Sequence, residues 1–210
     1  MLTVHHLGIS QSDRIVWLCE ELGIPYQLRR YDRDPVTRLA PEEYRALHPF
    51  GTAPVITDGD FVLGESAAIV EYLIATHGGD ALIRRASEPD FADYLFWFNF
   101  ANSSMMPALM MSMVVGLLGG GDRAKALLAR GDRAYAMIED RLAKVPYLAG
   151  DAFSAADIMI HFPLTTGRVF APRDISGYPN ILTYLQRIAA RPAYAAAMAK
   201  AEPDFAPMLT

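Results

Sequence analysis

The sequence predicts two domains: an α/β unit with a mixed four-stranded sheet, followed by an all-helical unit. Three observations indicate this. Short strand-like runs alternate with helical ones over residues 1–76, whereas strand signals stop after His77-Gly78-Gly79-Asp80. Beyond residue 89, apolar residues recur at helical spacing. The length of 210 residues suits two modest domains better than one small one.

The first half is predicted to run β-α-β-α-β-β-α, beginning with a strand at Leu2–Leu7. The next element, Ser12–Leu22, carries apolar residues at the i, i+3, i+4, i+7 spacing of a helix and ends before Gly23, a residue type that favours helix termination. Asp58-Gly59-Asp60 between two apolar runs predicts an antiparallel hairpin. The remaining strands are predicted at 26–31, 53–57 and 61–63, and the remaining helices at 41–47 and 66–75.

The predicted domain boundaries are residues 1–78 for the α/β unit, 79–88 for a linker and 89–210 for the helical unit. Helical patterns in the second unit cover residues 90–115, 122–144, 154–163 and 180–200. We expect Pro107 to kink the first of these helices and Pro192 to break the last, because proline lacks a backbone N–H and clashes with the preceding turn.

The composition argues against several classes of function. The formal net charge of −5 provides no positive field to attract nucleic acid or anionic lipid. The amino terminus lacks the pattern of an export signal, and the longest apolar run, Met105–Leu118, is too short to span a bilayer. The single cysteine, Cys19, cannot form an internal disulfide, and no Cys or carboxylate cluster has metal-ligand spacing. We therefore expect a cytoplasmic protein that binds no nucleic acid, membrane or metal.

The turn between the first strand and the first helix, Gly8–Arg14, is the first candidate site. Its two hydroxyls, on Ser10 and Ser12, lie at a helix N-terminus, where unpaired backbone N–H groups and the helix dipole favour an anion. A thiolate held there would be stabilised, because the same features depress thiol pKa values. The alternative is that one or both serines cap the helix.

Two further segments have features of a binding site. Pro54 interrupts a strand-like run and removes a ladder donor. A cis bond is one way to accommodate it, and would leave the backbone of Val55 facing a ligand as if the ligand were an added strand. At a strand–helix junction, Ser66 can hold a carboxylate while Glu65 pairs with an ammonium group, which together match an α-amino acid terminus. Ordinary helix capping is the alternative at this junction.

A fourth segment, Asp151–Ile158, has the pattern of a capping box. Ser154 is followed three residues later by Asp157, which stands where Glu or Gln is usual. This pattern predicts a role in folding and none in catalysis.

In this order, the four segments resemble the glutathione transferase superfamily, and the resemblance covers essentially the whole chain. It is carried by Ser10-Gln11-Ser12-Asp13-Arg14, Ala53-Pro54-Val55, Glu65-Ser66-Ala67-Ala68-Ile69 and the capping segment. The segment His48-Pro49-Phe50-Gly51 is similar to the sequence at this place in a bacterial and fungal branch of the superfamily. The resemblance implies a thioredoxin-like first domain that binds glutathione as co-substrate, a helical-bundle second domain, and a homodimer.

The resemblance also implies roles for particular residues. Pro54 would be a cis-proline, and the backbone of Val55 would bind the cysteinyl part of glutathione. Glu65 and Ser66 would bind the γ-glutamyl end of the peptide.

Two further implications concern the glycine end of the peptide and folding. Related chains commonly carry Lys at the position of Thr52, so a contact to the glycine carboxylate is missing unless Arg38 substitutes for it. Ser154 and Asp157 would carry a helix cap that is important for folding.

Within the superfamily, the residues present indicate the serine type. Tyrosine-type members use a Tyr near the first strand, but no Tyr precedes Tyr26. Cysteine-type members use a Cys in the first turn, whereas Cys19 lies on the apolar face of the first helix. A Ser-Gln pair with Arg four residues after the Ser resembles the theta-like pattern, which selects Ser10 to activate the thiol, with Ser12 as the alternative.

The implied reaction is attack by the glutathione thiolate on a small apolar electrophile, or on a peroxide oxygen. The second substrate is expected between Ile9 and the long helix that carries Phe100, Met106 and Met110, because Met side chains adapt to varied apolar molecules. Core or dimer contacts are the alternative for those residues. Two other functions stay open: partner binding without catalysis, and a specialised glutathione-dependent dehalogenase, lyase or isomerase.

Overall fold

A computed structural model of the chain describes residues 1–119 and 121–210, apart from the side chain of Arg123. The first half has the predicted order of elements. They are β1 (Leu2–Leu7), α1 (Asp13–Leu22), β2 (Gln27–Tyr31), α2 (Glu42–Arg45), β3 (Val55–Asp58), β4 (Phe61–Gly64) and α3 (Ser66–Leu73).

The four strands form one mixed sheet in the order β2-β1-β3-β4. β1 pairs parallel with β2, whereas β3 pairs antiparallel with both β1 and β4. Val55, at the start of β3, pairs with His5 near the end of β1 and with Gly64 at the end of β4. The loops that follow β1 and β4 and the loop that precedes β3 therefore meet at one end of the sheet.

The core of this unit follows from the apolar spacing of α1. Four residues mark its predicted face: Ile15, Leu18 and Cys19 are fully buried, and Leu22 is half-buried. The helix ends at Gly23, whose left-handed backbone (φ 63°) lets its N–H reach the last carbonyls of the helix. The predicted helix and its end are thereby confirmed, and the N-terminus of α1 lies directly after the loop that follows β1.

The second half is helical, as predicted. Its helices are α4 (Phe91–Phe100), α5 (Met106–Leu118), α6 (Gly121–Leu142), α7 (Ala155–Leu164), α8 (Pro179–Ala189) and α9 (Pro192–Ala201), with a short 3-10 turn at Thr166–Val169. The predicted break at Pro192 is confirmed, because this residue begins α9.

The prediction that Pro107 kinks a single helix is wrong. It stands in the first turn of α5, where a missing N–H leaves no internal hydrogen bond unmade. The irregularity lies just before it, as a π-helical turn at Ala101–Met105. The predicted helix over residues 90–115 is therefore two helices joined by that turn.

The compact units do not end where the sequence placed the domain boundaries. One unit comprises 1–81 together with 191–207, and the other comprises 82–190 with 208–210. Most of the predicted linker, from Leu82 onward, thus belongs to the helical unit, where the Leu82 carbonyl accepts the N–H of Ala155 at 2.8 Å.

Helix α9 belongs with the sheet unit because its contacts lie on α1. Tyr194 packs edge-on against Trp17 with 5.1 Å between ring centroids. At the start of α9, the Arg191 guanidinium donates to both oxygens of Glu21, at 2.6 and 2.7 Å. Periodicity within one segment does not reveal such a pairing between distant helices.

The helical stretch Phe91–Leu118 presents apolar surface. It has 28 residues and, by length and composition alone, is long and apolar enough to cross a membrane, although only 17% of its most apolar part is buried. The sequence prediction considered only Met105–Leu118, whereas the helical path continues back through the π-helical turn.

Candidate functional site

The predicted first-turn serines lie at the sheet end, between β1 and α1. Both are buried, with Ser12 fully enclosed and Ser10 4% exposed. Ser10 Oγ donates to the carbonyl of Leu7 at 2.6 Å and lies 2.6 Å from Ser12 Oγ. Ser12 Oγ in turn accepts the N–H of Leu7 at 3.1 Å. The two hydroxyls therefore form one hydrogen-bonded pair, and Ser10 is its more accessible member.

The pair continues into the protein through a histidine and a glutamate. Ser12 Oγ lies 2.9 Å from Nδ1 of His6, and Nε2 of the same ring donates to Oε1 of Glu202 at 3.0 Å. The same carboxylate oxygen accepts the N–H of Ile9 at 2.6 Å. His6 is fully buried and Glu202 nearly so. The segment after α9 thus holds the first turn through two hydrogen bonds.

The Ala53–Pro54 peptide bond is cis, which is the geometry that the resemblance implies. Val55 follows as the first residue of β3, so its backbone lies within the sheet. Its N–H lies against the hydroxyl of Tyr44, which also donates to the carbonyl of His5 at 3.3 Å. Ala53, on the other side of the cis bond, lies outside the ladder, and the role of the Val55 backbone in binding a ligand stays a prediction.

The predicted γ-glutamyl site lies at the start of α3. Glu65 is exposed and has a positive φ of 70°, an uncommon conformation for a residue with a side chain. Ser66 is buried, and its hydroxyl accepts a hydrogen bond from Nη1 of Arg14 at 3.3 Å. Nη1 of Arg14 also donates to Oε1 of Gln11 at 2.7 Å. The first turn and the start of α3 are thereby joined through one guanidinium.

Arg14 carries a positive charge beneath this helix N-terminus. Its side chain is fully buried, and burial lowers its pKa to about 10, although Asp13 acts in the opposite direction. The guanidinium therefore stays protonated at neutral pH. A buried cation and the backbone N–H groups of α3 together favour an anion at Ser66.

Ile9 and Arg38 line one pocket of about 280 Å³, whereas Thr52 lies outside it. Both lining residues have positive φ, 51° and 61°. Arg33 holds this region, since its guanidinium donates to the carbonyls of Gly8 and Ile9 at 2.8 and 3.1 Å. The remaining residues of the lining are Arg30, Asp32, Glu202, Asp204 and Phe205. Thr52 is exposed.

The residues predicted to bind the second substrate are not brought together within one unit. Ile9 belongs to the sheet unit, and the other three belong to the helical unit. Phe100 is buried and stacks on Phe96, with 5.5 Å between ring centroids. Met106 is half-buried and Met110 is exposed.

Between α5 and α6, the helical unit contains a cavity of about 340 Å³. Met105, Leu109 and Tyr135 line it, but the predicted Phe100, Met106 and Met110 do not. Arg173 also lines this cavity, with its guanidinium 4.2 Å from the Tyr135 ring centroid. Asp132, which also lines the cavity, accepts a hydrogen bond from this guanidinium at 2.8 Å, so an apolar wall faces an ion pair.

The predicted capping box is present at the start of α7. Oδ2 of Asp157 accepts the N–H of Ser154 at 2.9 Å. Its other oxygen accepts the N–H of Leu148 at 2.9 Å and the hydroxyl of Tyr184 at 3.0 Å. The carboxylate therefore joins the helix start to a loop and to α8, beyond the cap that the pattern predicts.

Cys19 is unsuited to nucleophilic chemistry. It is fully buried, and burial, with a contribution from Glu20, raises the pKa of its thiol to about 12. Within residues 1–119 and 121–210, no group of three or more His, Cys, Asp or Glu side chains is arranged to hold a metal ion.

Sequence reasoning missed four contributors to this site. Gln11 and Arg14 were used only as parts of a motif, although an Arg one turn into a buried helix signals a specific partner. His6 gave no signal beyond its place in the first strand. Glu202 gave no signal, because the chain separates it from its partners by almost its whole length.

A four-stranded mixed sheet with a cis-proline at the end where helix α1 begins, followed by a helical unit, defines a thioredoxin-like fold with an appended bundle. The sequence model of one protein family, the glutathione S-transferase N-terminal domain, matches residues 10–76. The sequence model of the glutathione S-transferase C-terminal domain matches residues 101–192. The fold class predicted from the sequence is confirmed.

Curated and solved relatives agree with these matches. Glutathione S-transferase 3 of Schizosaccharomyces pombe is 34% identical over 96% of this chain and 88% of its own length. A glutathione S-transferase structure from Actinobacillus pleuropneumoniae superposes with a TM-score of 0.90 at 34% identity, covering 98% of this chain and 97% of that one. A sphingomonad glutathione S-transferase complexed with glutathione has a TM-score of 0.76 at 25% identity, covering 97% and 100%.

The chain belongs to the glutathione S-transferase family. The enzyme class predicted from the sequence, a glutathione transferase, is confirmed.

Proposed function

We propose that the chain transfers glutathione to small apolar electrophiles and reduces organic peroxides, with the glutathione thiolate stabilised by Ser10. The observation that carries this proposal is the convergence of three motifs at one end of the sheet. The first turn follows β1, the cis-proline precedes β3 and Glu65-Ser66 follows β4, and the strand register places these three positions side by side. A tripeptide can therefore contact all three.

The peptide is oriented by its charges in this proposal. Its γ-glutamyl carboxylate binds at Ser66, above the Arg14 guanidinium, and its ammonium group pairs with Glu65. Its cysteinyl backbone pairs with Val55, which follows the cis-proline. The glycine carboxylate points toward Arg38, which lines the pocket beside Ile9. The thiol then faces the first turn.

Ser10 acts by favouring the thiolate and does not need to be a base. A free thiol with a pKa near 8.5 is mostly protonated at neutral pH. A hydrogen bond to a charged group contributes about 1.5–3 kcal/mol, equivalent to roughly one to two pKa units. To make it, the Ser10 hydroxyl turns from the Leu7 carbonyl toward the sulfur. A lowering of the thiol pKa by one to two units is enough to make most of the bound glutathione reactive.

Ser10→Ala is expected to raise the pKa of the bound thiol by about one to two units, because the donor to the thiolate is lost. Glutathione affinity should change little, since the peptide's charged ends bind elsewhere. The ultraviolet absorbance of the thiolate, followed against pH, measures the first quantity, and calorimetry measures the second. A thiol titration identical to wild type would remove Ser10 from this role, after which Ser12→Ala tests the alternative.

The overall activity is tested by retention on immobilised glutathione, followed by assays with a chlorodinitroaromatic substrate and an organic peroxide. Turnover of either supports the proposal. Binding without turnover of a wider electrophile panel would favour a partner-binding protein, to which the absence of Lys at Thr52 gives some support. Turnover restricted to a haloalkane, an aryl ether or an isomerisable substrate would identify the specialised alternatives.

We also propose that the chain forms a homodimer through the exposed apolar face of α5. Met110, Val114 and Leu117 recur there at i, i+4 and i+7 and are 48%, 38% and 77% exposed. These positions share one helix face, and an exposed apolar stripe of this kind marks an interaction surface. Met110 is therefore better assigned to this interface than to the second-substrate pocket.

Val114→Glu is expected to shift the protein toward monomer, because it would bury an unpaired carboxylate in an apolar interface. Sedimentation velocity across a concentration series measures the change. Lys125→Glu, which places an acidic side chain at an exposed position of α6, is the control and should sediment as wild type. A dimer of unchanged strength in Val114→Glu would rule out this face.

Pelleting with lipid vesicles tests the prediction of a cytoplasmic protein without membrane attachment.

A further inference from the structure

Behind Ser10 lies a continuous hydrogen-bonded chain that the proposed function does not use. It runs from Ser10 Oγ to Ser12 Oγ (2.6 Å), to His6 Nδ1 (2.9 Å), and from His6 Nε2 to Glu202 Oε1 (3.0 Å). All four side chains are at most 6% exposed, and Ser10 is the member that lies in the first turn. A chain of this kind connects the hydroxyl of Ser10 to a buried imidazole.

Hydrogen-bond roles within the chain follow from its carboxylate end. The Glu202 carboxylate can only accept, so Nε2 of His6 carries a proton and Nδ1 of the neutral ring accepts from the Ser12 hydroxyl. When the ring gains a proton, Nδ1 becomes a donor to Ser12. The Ser12 hydroxyl is then released to donate to Ser10, and the Ser10 hydroxyl to donate outward. The protonation of His6 thus reverses the hydrogen bonds between His6 and Ser12 and between Ser12 and Ser10, whereas Nε2 donates to Glu202 in both states.

We propose that His6, paired with Glu202, receives the proton that bound glutathione releases, through Ser12 and Ser10. This inference rests on the proposed function. The Ser10 hydroxyl first turns from the Leu7 carbonyl toward Ser12 Oγ, which lies 2.6 Å away. The S–H bond of glutathione then breaks as its proton moves to Ser10 Oγ, the former Ser10 proton moves to Ser12 Oγ, and the former Ser12 proton moves to His6 Nδ1. The products are a thiolate that accepts from Ser10 and an imidazolium that donates to Ser12 and Glu202. No electrons are transferred, and no further reactant is needed.

Glu202 acts as a positioning residue in two ways. Its charge stabilises the imidazolium, because an opposite charge in contact favours the charged form. Its Oε1 also accepts the Ile9 N–H at 2.6 Å, which helps to hold that residue at a φ of 51°. A second charged group nearby is Arg33, whose pKa is lowered mainly by burial and then by Arg38, whereas Glu202 raises it. The C-terminal segment after α9 is therefore part of the thiol-activating site.

The test compares His6→Asn and Glu202→Gln with wild type. Asn keeps a hydrogen-bonding amide beside Ser12 but cannot take a proton, and Gln keeps an acceptor for the Ile9 N–H but removes the charge. Each variant is expected to raise the pH at which half of the bound glutathione is thiolate by about one unit, a tenfold loss of thiolate below that pH. Glutathione affinity, measured by calorimetry at a pH where the bound thiol is protonated in wild type and variants alike, should stay as in wild type.

His5→Asn is the matched control. His5 is also buried on β1, but its ring bonds Tyr31 and Thr57, away from the chain of hydroxyls. Its thiol titration is expected to match wild type. If Ser10→Ala shifts the titration while His6→Asn and Glu202→Gln behave like His5→Asn, the relay is overturned and the proposed function stands. If Ser10→Ala has no effect on the thiol titration, the relay and the proposed role of Ser10 both fail. Should His6→Asn not fold, Glu202→Gln alone decides the outcome.

Discussion

Replacing Asp157 by alanine is expected to lower the free energy of unfolding by about 3–5 kcal/mol, the upper end of the range for single substitutions. The carboxylate accepts the N–H groups of Leu148 and Ser154 and the hydroxyl of Tyr184, at 2.9 to 3.0 Å. All three hydrogen bonds are buried, and each donor left without an acceptor costs about 1–3 kcal/mol. Urea denaturation followed by circular dichroism measures the loss.

Two variants separate this network from the helix cap alone. Ser154→Ala is expected to cost only about 1 kcal/mol, because it removes the cap hydroxyl and leaves the Asp157 carboxylate in place. Asp151→Ala, at an exposed acidic position near the same helix start, should unfold as wild type. If Asp157→Ala is no less stable than Ser154→Ala, then Asp157 acts only through the cap.

Replacing Arg14 by methionine is expected to weaken glutathione binding by about 10- to 100-fold, equivalent to roughly 1.5–3 kcal/mol. The variant removes the buried cation beneath the start of α3 and the hydrogen bond to Ser66. The free energy of unfolding should also fall, by about 3–5 kcal/mol, because the fully buried Asp13 carboxylate loses the positive charge beside it, so affinity is measured where the variant is folded. Calorimetric titration with glutathione measures the affinity.

The control for this prediction is Arg191→Met in the same unit. It breaks the paired hydrogen bonds to Glu21 at the start of α9, away from Ser66 and Gln11. It should therefore destabilise the docking of α9 onto α1 and leave glutathione affinity unchanged. Wild-type affinity in Arg14→Met would contradict the assignment of the γ-glutamyl carboxylate to Ser66.

The fold followed closely from local patterns. The period of apolar residues in Ser12–Leu22 and the Asp-Gly pair between two apolar runs predicted α1 and the β3–β4 hairpin, because each depends on neighbours within a few residues. The helix at 66–75 was predicted well at its start, and Pro192 correctly divided α8 from α9. The pattern at Pro107 was misjudged, since a π-helical turn ahead of the proline leaves it in a first turn where it is tolerated.

The site could be predicted only where its residues lie within a motif. Ser10, Pro54 and Ser66 were found because each stands at a strand or helix end, where local geometry restricts the residue types. The role of Arg14 depends on Ser66, more than fifty positions away, and that of Glu202 on His6 and Ile9 near the opposite terminus. Neither relation has a period or a spacing that a single sequence displays.

The sequence by itself determined the order of elements in the first half, the end of α1, the β3–β4 hairpin and the helix start at the capping box, because these depend on apolar periodicity and on residue types at turns. Only the tertiary structure decided that α9 joins the sheet unit, that Arg14 supports the start of α3 and that Glu202 closes a hydrogen-bonded chain behind Ser10. Those features arise from the packing of segments far apart in the chain, where the burial of a polar group requires a partner that only the folded geometry supplies.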